Sequence, residues 1–476
     1  MLLLAGLFLS IMALATPLNH DESQYVAGAV LAAESVPFRD FMALQPPLAF
    51  WAWMPLTLLF PGWSFLAIRL SSALFGLIAL AAVADSERQL GNESWRWPIG
   101  ALLLASTNIF LFTSSVARND ALPGMLLALG MAAGLRGIMG RPGWAGAAGL
   151  FLGAAAAAKL SFAPSLAVAG LMMLLHRRRL GIRGLGAFAA GAAAGLASLL
   201  AAFLLAPEAF IFGVLRMPLA APFDWYAGVE DGWSLTLPGK LLGVAGAMLV
   251  GPTFVALAAV LAGMRKDGRD PRVQFLLALV AGGLAGALLP TPTHPQYLLP
   301  LLPSLFALLP HALERIKWRE VAYVALGLFA IIGIAPSLFA LSQGFPALEL
   351  EEQAHRIARH AEAPIATLAP DRAADSGLAI DPRFATGPFL FRSGSVLTVS
   401  DAIRYKVATP AALEALFKER PPRSILIAHE AGGRPGAPPV DRPLQLWARR
   451  HGYRELALPD GVGRLYVATA KIGDWR

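Results

Sequence analysis

Two adjacent carboxylates, Asp21 and Glu22, stand in the heptapeptide Asn19-His20-Asp21-Glu22-Ser23-Gln24-Tyr25, directly after the apolar run that opens the chain. A carboxylate at the edge of an apolar layer has its pKa raised by partial desolvation toward a value that suits a general base, and Asp21 and Glu22 are candidates for that role. Cations recur between apolar stretches: Arg69 in Ile68-Arg69-Leu70, Arg118 beside Asp120, Lys159 in Ala158-Lys159-Leu160, and His294 in His294-Pro295-Gln296-Tyr297. An ammonium or guanidinium enclosed by apolar sequence is costly unless it meets an anion.

Each of these residues also has a structural reading. Asp21 can cap a helix over 26–35, on which Asp21, Tyr25 and Gly28 share a face, and Glu22 is then the base. Lys159 can snorkel to an interface, and Arg69 can anchor one. Asp120 can pair with Arg118 or Lys159, contact a ligand, or cap the helix that follows. Gln45 and Tyr297 are hydrogen-bonding candidates. A divalent metal on His20, Asp21, Glu22 and His294 is chemically conceivable. Adjacent residues rarely ligate one ion together, so no cofactor is expected.

The elements that must position these groups are membrane spans. Of 476 residues, 56% are hydrophobic and only 15% charged, with no cysteine, against about 25% charged in an ordinary soluble protein. Lack of cysteine excludes disulfides, thiolate metal sites and cysteine nucleophiles. About eleven spans of roughly 17–25 residues are expected: 2–18, 64–84, 97–115, 121–136, 144–158, 162–176, 184–206, 240–263, 273–290, 297–311 and 321–341. The short runs 144–158 and 162–176 flank Lys159 as a pair that turns within the outer leaflet.

Basic clusters at Arg136 and Arg141, at 176–183, at Arg265, Lys266, Arg269 and Arg272, and at Arg315, Lys317 and Arg319 all fall on one side of such a bundle. That is the positive-inside pattern, with the amino terminus cytoplasmic. The formal charge of +8 is then a matter of topology, and nucleic acid is not an expected partner. Ala13-Leu14-Ala15 resembles a cleavage site but lacks the basic segment of a signal peptide, so the first span is expected to be retained.

On this topology Asp21, Glu22, Arg118, Asp120, Lys159 and His294 sit at one outer rim, and residues 19–63 form a long outer loop. Its aromatic stretch, Leu48-Ala49-Phe50-Trp51-Ala52-Trp53, is expected to lie along the surface. Residues 345–476 hold 33 of the chain's 70 charged residues. They are read as a soluble α/β domain after a membrane domain, 1–344. The runs 424–428 and 463–467 are its expected strands, and 410–419 and 442–451 its expected helices.

Over roughly residues 1–310 the chain resembles the bacterial members of the dolichyl-phosphate-mannose–protein mannosyltransferase family, within the glycosyltransferase C superfamily. Related by pattern are the aminoarabinose transferases acting on lipid A and the galacturonosyltransferases of lipopolysaccharide cores. The resemblance is carried by Asp21-Glu22 with Tyr25 after the first span, Gln45-Pro46-Pro47-Leu48, and Ala67-Ile68-Arg69-Leu70-Ser71-Ser72. It continues in Ala117-Arg118-Asn119-Asp120, Ala158-Lys159-Leu160 and His294-Pro295-Gln296-Tyr297.

The resemblance implies a polytopic transferase in the bacterial inner membrane, with its tail periplasmic. It implies transfer of a sugar from a polyprenyl-phosphate carrier to a lipid, glycan or protein hydroxyl. In that reaction Asp21 is the expected base, with Glu22 orienting it or touching the acceptor. Lys159, Arg118, Arg69 and His294 face the departing phosphate, Asp120 is a contact for sugar hydroxyls, and Gln45 and Tyr297 are contacts for sugar or phosphate. Leu44-Gln45 stand where aminoarabinose relatives often carry Glu-Lys, so aminoarabinose is not assigned as donor. A transporter or flippase is the competing class, but transporters gather polar groups at the midplane of paired repeats. A membrane anchor for the tail is a third reading, and the tail carries no phosphate loop or nucleophile motif.

Overall fold

The computed structural model describes residues 2–91, 98–229, 231–264, 270–432, 436–458 and 463–469. Arg265, Lys266 and Arg269 of the third basic cluster lie outside the described residues. The chain is mostly helical and forms two compact bodies. One comprises residues 1–16, 69–200 and 233–344; the other comprises 17–68, 201–232 and 345–476.

The first body is an apolar helical bundle. Among the described residues five stretches are long and apolar enough to cross a membrane: Ser64–Gln89, Arg177–Leu205, Pro271–Leu288, Pro295–Leu313 and Arg319–Ala358, the apolar part of the last being helix Arg319–Ser342 and its end, helix Pro346–Ala358, belonging to the second body. Leu237–Leu249 and Thr253–Gly263 make a sixth as a pair bent by 96°. The remaining expected spans are shorter helices or broken ones, for local reasons. The run 97–115 divides into Ile99–Leu104 and Asn108–Thr113, because Thr107 caps the second piece by accepting from the Phe110 amide at 3.2 Å. The run 240–263 breaks at Gly251-Pro252, where Gly251 has φ 125° and Pro252 has no amide to continue the first helix.

Small residues let the helices approach. Gly149 and Gly153 on Pro142–Ala158 face Gly191 and Gly195 on Arg177–Leu205, so closely that a Cβ on Gly191 would lie 2.1 Å from the Gly146 carbonyl oxygen. This is the small-xxx-small packing of membrane helices. At the other end of the same bundle a Cβ on Gly286 would lie 2.1 Å from the Ser161 carbonyl oxygen, and one on Gly283 2.5 Å from Leu301 Cα. Helix Pro271–Leu288 thereby draws the turn after Lys159 and the 3-10 segment Pro295–Leu301 onto itself.

The second body contains the loop from 17, the segment 201–232 and the tail. Helix Glu22–Leu31 replaces the expected helix over 26–35 and packs on Leu48–Leu59. A Cβ on Gly28 would lie 2.5 Å from the Phe50 ring, so only glycine permits this contact. The tail holds a mixed four-stranded sheet, β1 (Ile365–Thr367), β2 (Ser424–Ile427), β3 (Arg454–Ala457) and β4 (Arg464–Val467), in the order β1-β2-β4-β3. The β1–β2 pair is parallel and the others antiparallel. Helices Leu413–Glu419 and Arg442–Arg450 cover it, Phe417 meeting Trp447 edge-on at 4.6 Å. Without disulfides, buried Arg383 ties the covering helix down, its Nη1 donating to the Leu416 carbonyl at 2.8 Å.

Candidate functional site

The residues singled out by type and spacing fall into two groups, one in each body, and each group has its own geometry.

In the helical bundle, Asp120 ends the loop ahead of helix Ala121–Gly137, and Lys159 ends helix Pro142–Ala158. The chain brings them together across 39 residues. Asp120 Oδ1 accepts from Lys159 Nζ, and its Oδ2 accepts from Arg118 Nε at 3.1 Å. Relative exposures are 1% for Asp120, 5% for Arg118 and 7% for Lys159. Asn119 Nδ2 donates to the Ala158 carbonyl at 3.2 Å, satisfying one of the carbonyls that a helix leaves without an intrahelical partner at its C-terminus.

Asp120 makes no capping hydrogen bond to its own helix, so among the readings open from sequence the geometry realises the pairing with both cations. Lys159 Nζ also lies 5.0 Å from the Tyr297 ring centroid, and the Tyr297 ring lies 5.7 Å from that of His294. The Pro295–Leu301 segment is therefore what carries Tyr297 to Lys159. Arg69 is fully buried, its Nη1 donating to the Ala13 carbonyl at 3.0 Å and the Thr16 carbonyl at 2.8 Å. It thus holds the C-terminal end of helix Leu2–Ala15, just before the acidic loop.

In the second body, Asp21 occupies the position before helix Glu22–Leu31 and makes no side-chain capping bond there. Its side chain is 18% exposed and lies 3.0 Å from His20 Nε2. Glu22 is fully buried, its Oε2 accepting from the Asn19 amide at 2.8 Å. The two neighbouring carboxylates thus have different situations: Glu22 is built into the turn and fully buried, and Asp21 keeps partial exposure. Tyr25 is 3% exposed, its ring centroid 6.5 Å from those of Phe50 and Trp53. Gln45 is half-buried in the segment leading to helix Leu48–Leu59.

Three further contacts in this body were not legible in the sequence. Ser23 Oγ donates to Asp371 Oδ1 at 2.7 Å, across 348 residues, and both side chains are buried. Burial pushes the Asp371 carboxyl up, with neighbouring Glu22 acting in the same direction, while the Ser23 bond pulls it down. Asp375 accepts from the Phe65 amide at 3.1 Å, capping the start of helix Ser64–Gln89. Burial and the adjacent Asp375 push Glu351 up to about 9, so at neutral pH Glu351 keeps its proton beside Asp375. Nothing local to positions 351, 371 or 375 marks them, because their partners are set by the tertiary fold alone. Among the described residues no group of three or more His, Asp or Glu is arranged to hold a metal ion.

No protein-family model matches the sequence, and no curated protein does either. Solved structures do resemble the fold. ArnT from Cupriavidus metallidurans bound to undecaprenyl phosphate superposes with a TM-score of 0.62 at 16% identity, over 99% of this chain and 98% of that one. The apo state of the same protein gives a TM-score of 0.58 at 14% identity, with the same coverage. An Archaeoglobus fulgidus oligosaccharyltransferase tethered to an acceptor peptide gives 0.49 at 14% identity, over 80% of this chain and 58% of that one. The fold is that of the ArnT structures, and among the described residues it carries several helices long and apolar enough to cross a membrane.

Proposed function

We propose that this protein is an integral-membrane glycosyltransferase that moves a sugar from a polyprenyl-phosphate carrier to an acceptor hydroxyl on the periplasmic side of a bacterial inner membrane. Its amino terminus is cytoplasmic and residues 345–476 form a periplasmic accessory domain. The observation that carries this reading is the Arg118–Asp120–Lys159 network, three charges at least nine-tenths buried at helix ends of an apolar bundle. Charge at such depth is expensive and marks functional positions. The ArnT structure that shares this fold was determined with undecaprenyl phosphate, which supports a lipid-phosphate donor here.

In the proposed reaction Asp21 takes the proton of the acceptor hydroxyl as that oxygen attacks the anomeric carbon. The carbon–oxygen bond to phosphate breaks, and the electron pair leaves with the polyprenyl phosphate. Lys159, held by Asp120, meets the departing phosphate, and Arg118, His294 and Tyr297 complete its surroundings. Arg69 fixes the end of the first helix, while Glu22 and Tyr25 shape the acidic loop. Gln45 is a contact for sugar or phosphate.

The assignment of the base to Asp21 is supported by its partly exposed side chain, which makes no capping bond, beside fully buried Glu22. Purified protein given radiolabelled polyprenyl-phosphate sugars and membrane lipids tests the reading. Asp21→Asn is expected to lower the transfer rate roughly 100- to 10,000-fold, with donor affinity kept. Transfer at the unmodified rate removes Asp21 as base.

A further inference from the structure

The arginines of the helical bundle differ in their surroundings. Arg136 meets Asp85 at 2.7 Å, Arg272 meets Asp270 at 2.8 Å, Arg319 meets Glu320 at 3.1 Å, and Arg315 lies 3.9 Å from Glu314. Arg141, Arg177, Arg178, Arg179 and Arg183 are exposed and, among the described residues, pair with no carboxylate. The sequence supplies the reason, since no Asp or Glu occurs between Asp120 and Glu208. The positive-inside pattern counts charges and is met equally well by neutralised pairs. It does not require five guanidiniums to remain open together.

Packing gathers these five from two separate turns. Arg141 stands immediately before helix Pro142–Ala158, and Arg177, Arg178 and Arg179 follow the end of helix Ala163–Leu175. Gly140 has φ 91°, and a Cβ there would lie 3.1 Å from the Arg179 carbonyl oxygen, so the two basic turns touch. A kink at Gly181, with φ 63°, separates the second turn from the span that carries Arg183. His176 Nε2 lies 2.9 Å from Gln274 Oε1 on helix Pro271–Leu288, and Leu180 is buried. The backbone of the turn is thereby fixed while its guanidiniums stay exposed.

The surroundings are those of an apolar layer's edge. Leu171, Leu174 and Leu175, at i, i+3 and i+4 on one helical face, are each more than half accessible, and Ile182 is 83% accessible. Trp144 is exposed beside Arg141, the side chain expected at the boundary between lipid and water. Helix Pro142–Ala158 has 17 residues, which sets Arg141 about 25 Å from Lys159 at its other end. The patch therefore takes no part in the transfer chemistry above. A guanidinium grips phosphate at two points, and five of them exceed what one phosphate can use.

We propose that Arg141, Arg177, Arg178, Arg179 and Arg183 bind the headgroup of a membrane phospholipid that carries two phosphates, with its acyl chains along the exposed face of Leu171, Leu174 and Leu175. Basic pockets at helix ends take such headgroups, each arginine near the surface adding a similar increment.

Full-length protein in detergent is titrated with diphosphatidylglycerol, phosphatidylglycerol, phosphatidylcholine, inorganic pyrophosphate and a single-stranded oligonucleotide, and binding is read by native mass spectrometry. Diphosphatidylglycerol is expected to bind tightest. Arg141→Gln and Arg183→Gln, on separate elements, should each weaken it about fivefold, and Arg177→Gln/Arg178→Gln/Arg179→Gln roughly a hundredfold. Arg319→Gln, whose arginine already has Glu320, should leave it unchanged. Equal affinity for phosphatidylglycerol, displacement by pyrophosphate at equal concentration, or tighter binding of the oligonucleotide each overturns the proposal. So does an unchanged affinity in Arg141→Gln, because the two turns then form no common site.

Discussion

Replacing Asp120 by Asn keeps the size of the side chain and removes the charge that two buried cations share. Arg118 Nε lies 3.1 Å from one carboxylate oxygen and Lys159 Nζ binds the other, with side-chain exposures of 6%, 1% and 8% for Arg118, Asp120 and Lys159. Taking one partner from a buried ion pair costs about 3–5 kcal/mol, because the remaining charge stays desolvated. Asp120→Asn is therefore expected to lower the thermal midpoint in detergent by several degrees and to raise the KM for the polyprenyl-phosphate sugar. The double variant Asp120→Asn/Lys159→Met removes one cation together with the carboxylate. It should regain part of the stability, with a coupling on the order of 1–3 kcal/mol between the two positions.

Transfer should stay lost in that double variant, since the proposed phosphate contact is gone. Scanning fluorimetry and single-turnover transfer on the same preparations separate the two effects. A stability for Asp120→Asn equal to that of the unmodified protein would refute the electrostatic reasoning. Recovery of stability and transfer together in the double variant would show the network to be a structural staple only.

The contacts of the tail make two more outcomes measurable. Asp371→Ala removes the acceptor of the buried Ser23 hydroxyl and should lower kcat about tenfold. Asp371→Asn, which keeps an acceptor without charge, should cost less than about threefold, and equal losses in both variants would show that an ionised carboxylate is required. Glu351 has its pKa raised from 4.5 to about 9, so folding favours its protonated form. Its stabilisation is complete below about pH 4.5 and is lost as pH rises toward 9, amounting to at most roughly 3 kcal/mol at pH 7. Glu351→Gln should therefore raise the thermal midpoint at pH 8 relative to the unmodified protein and leave it unchanged near pH 4, and parallel profiles for the two proteins would exclude the shared proton.

Much of this architecture is written in local pattern. Uninterrupted apolar runs report helices that only a membrane or a bundle core can hold, and Lys159 marks where two such runs turn, whereas the bend at Gly251-Pro252 falls inside a run that reads as one span. Alternating short runs announced the tail's sheet, two of whose strands, β2 and β4, fall on the expected segments. The acidic loop and the cations between spans were visible because a charge beside apolar sequence stands out wherever the chain goes.

What local pattern does not contain is the partner of each charge. Asp120 has three outlets in sequence and takes both neighbouring cations in the fold, because helix Pro271–Leu288 offers glycines against which the Lys159 turn can close. Asp21 looks like a helix cap from its position and makes no capping bond, since Glu22 and Asn19 close the turn instead. Arg69 is not exposed, its guanidinium being committed in part to the end of the first helix. Asp371 reaches Ser23 across 348 residues. Hydropathy and spacing are properties of neighbouring residues along the chain, and they decide where elements begin and end. Desolvation and pairing depend on what lies within a few ångströms in space, and only the folded chain decides that.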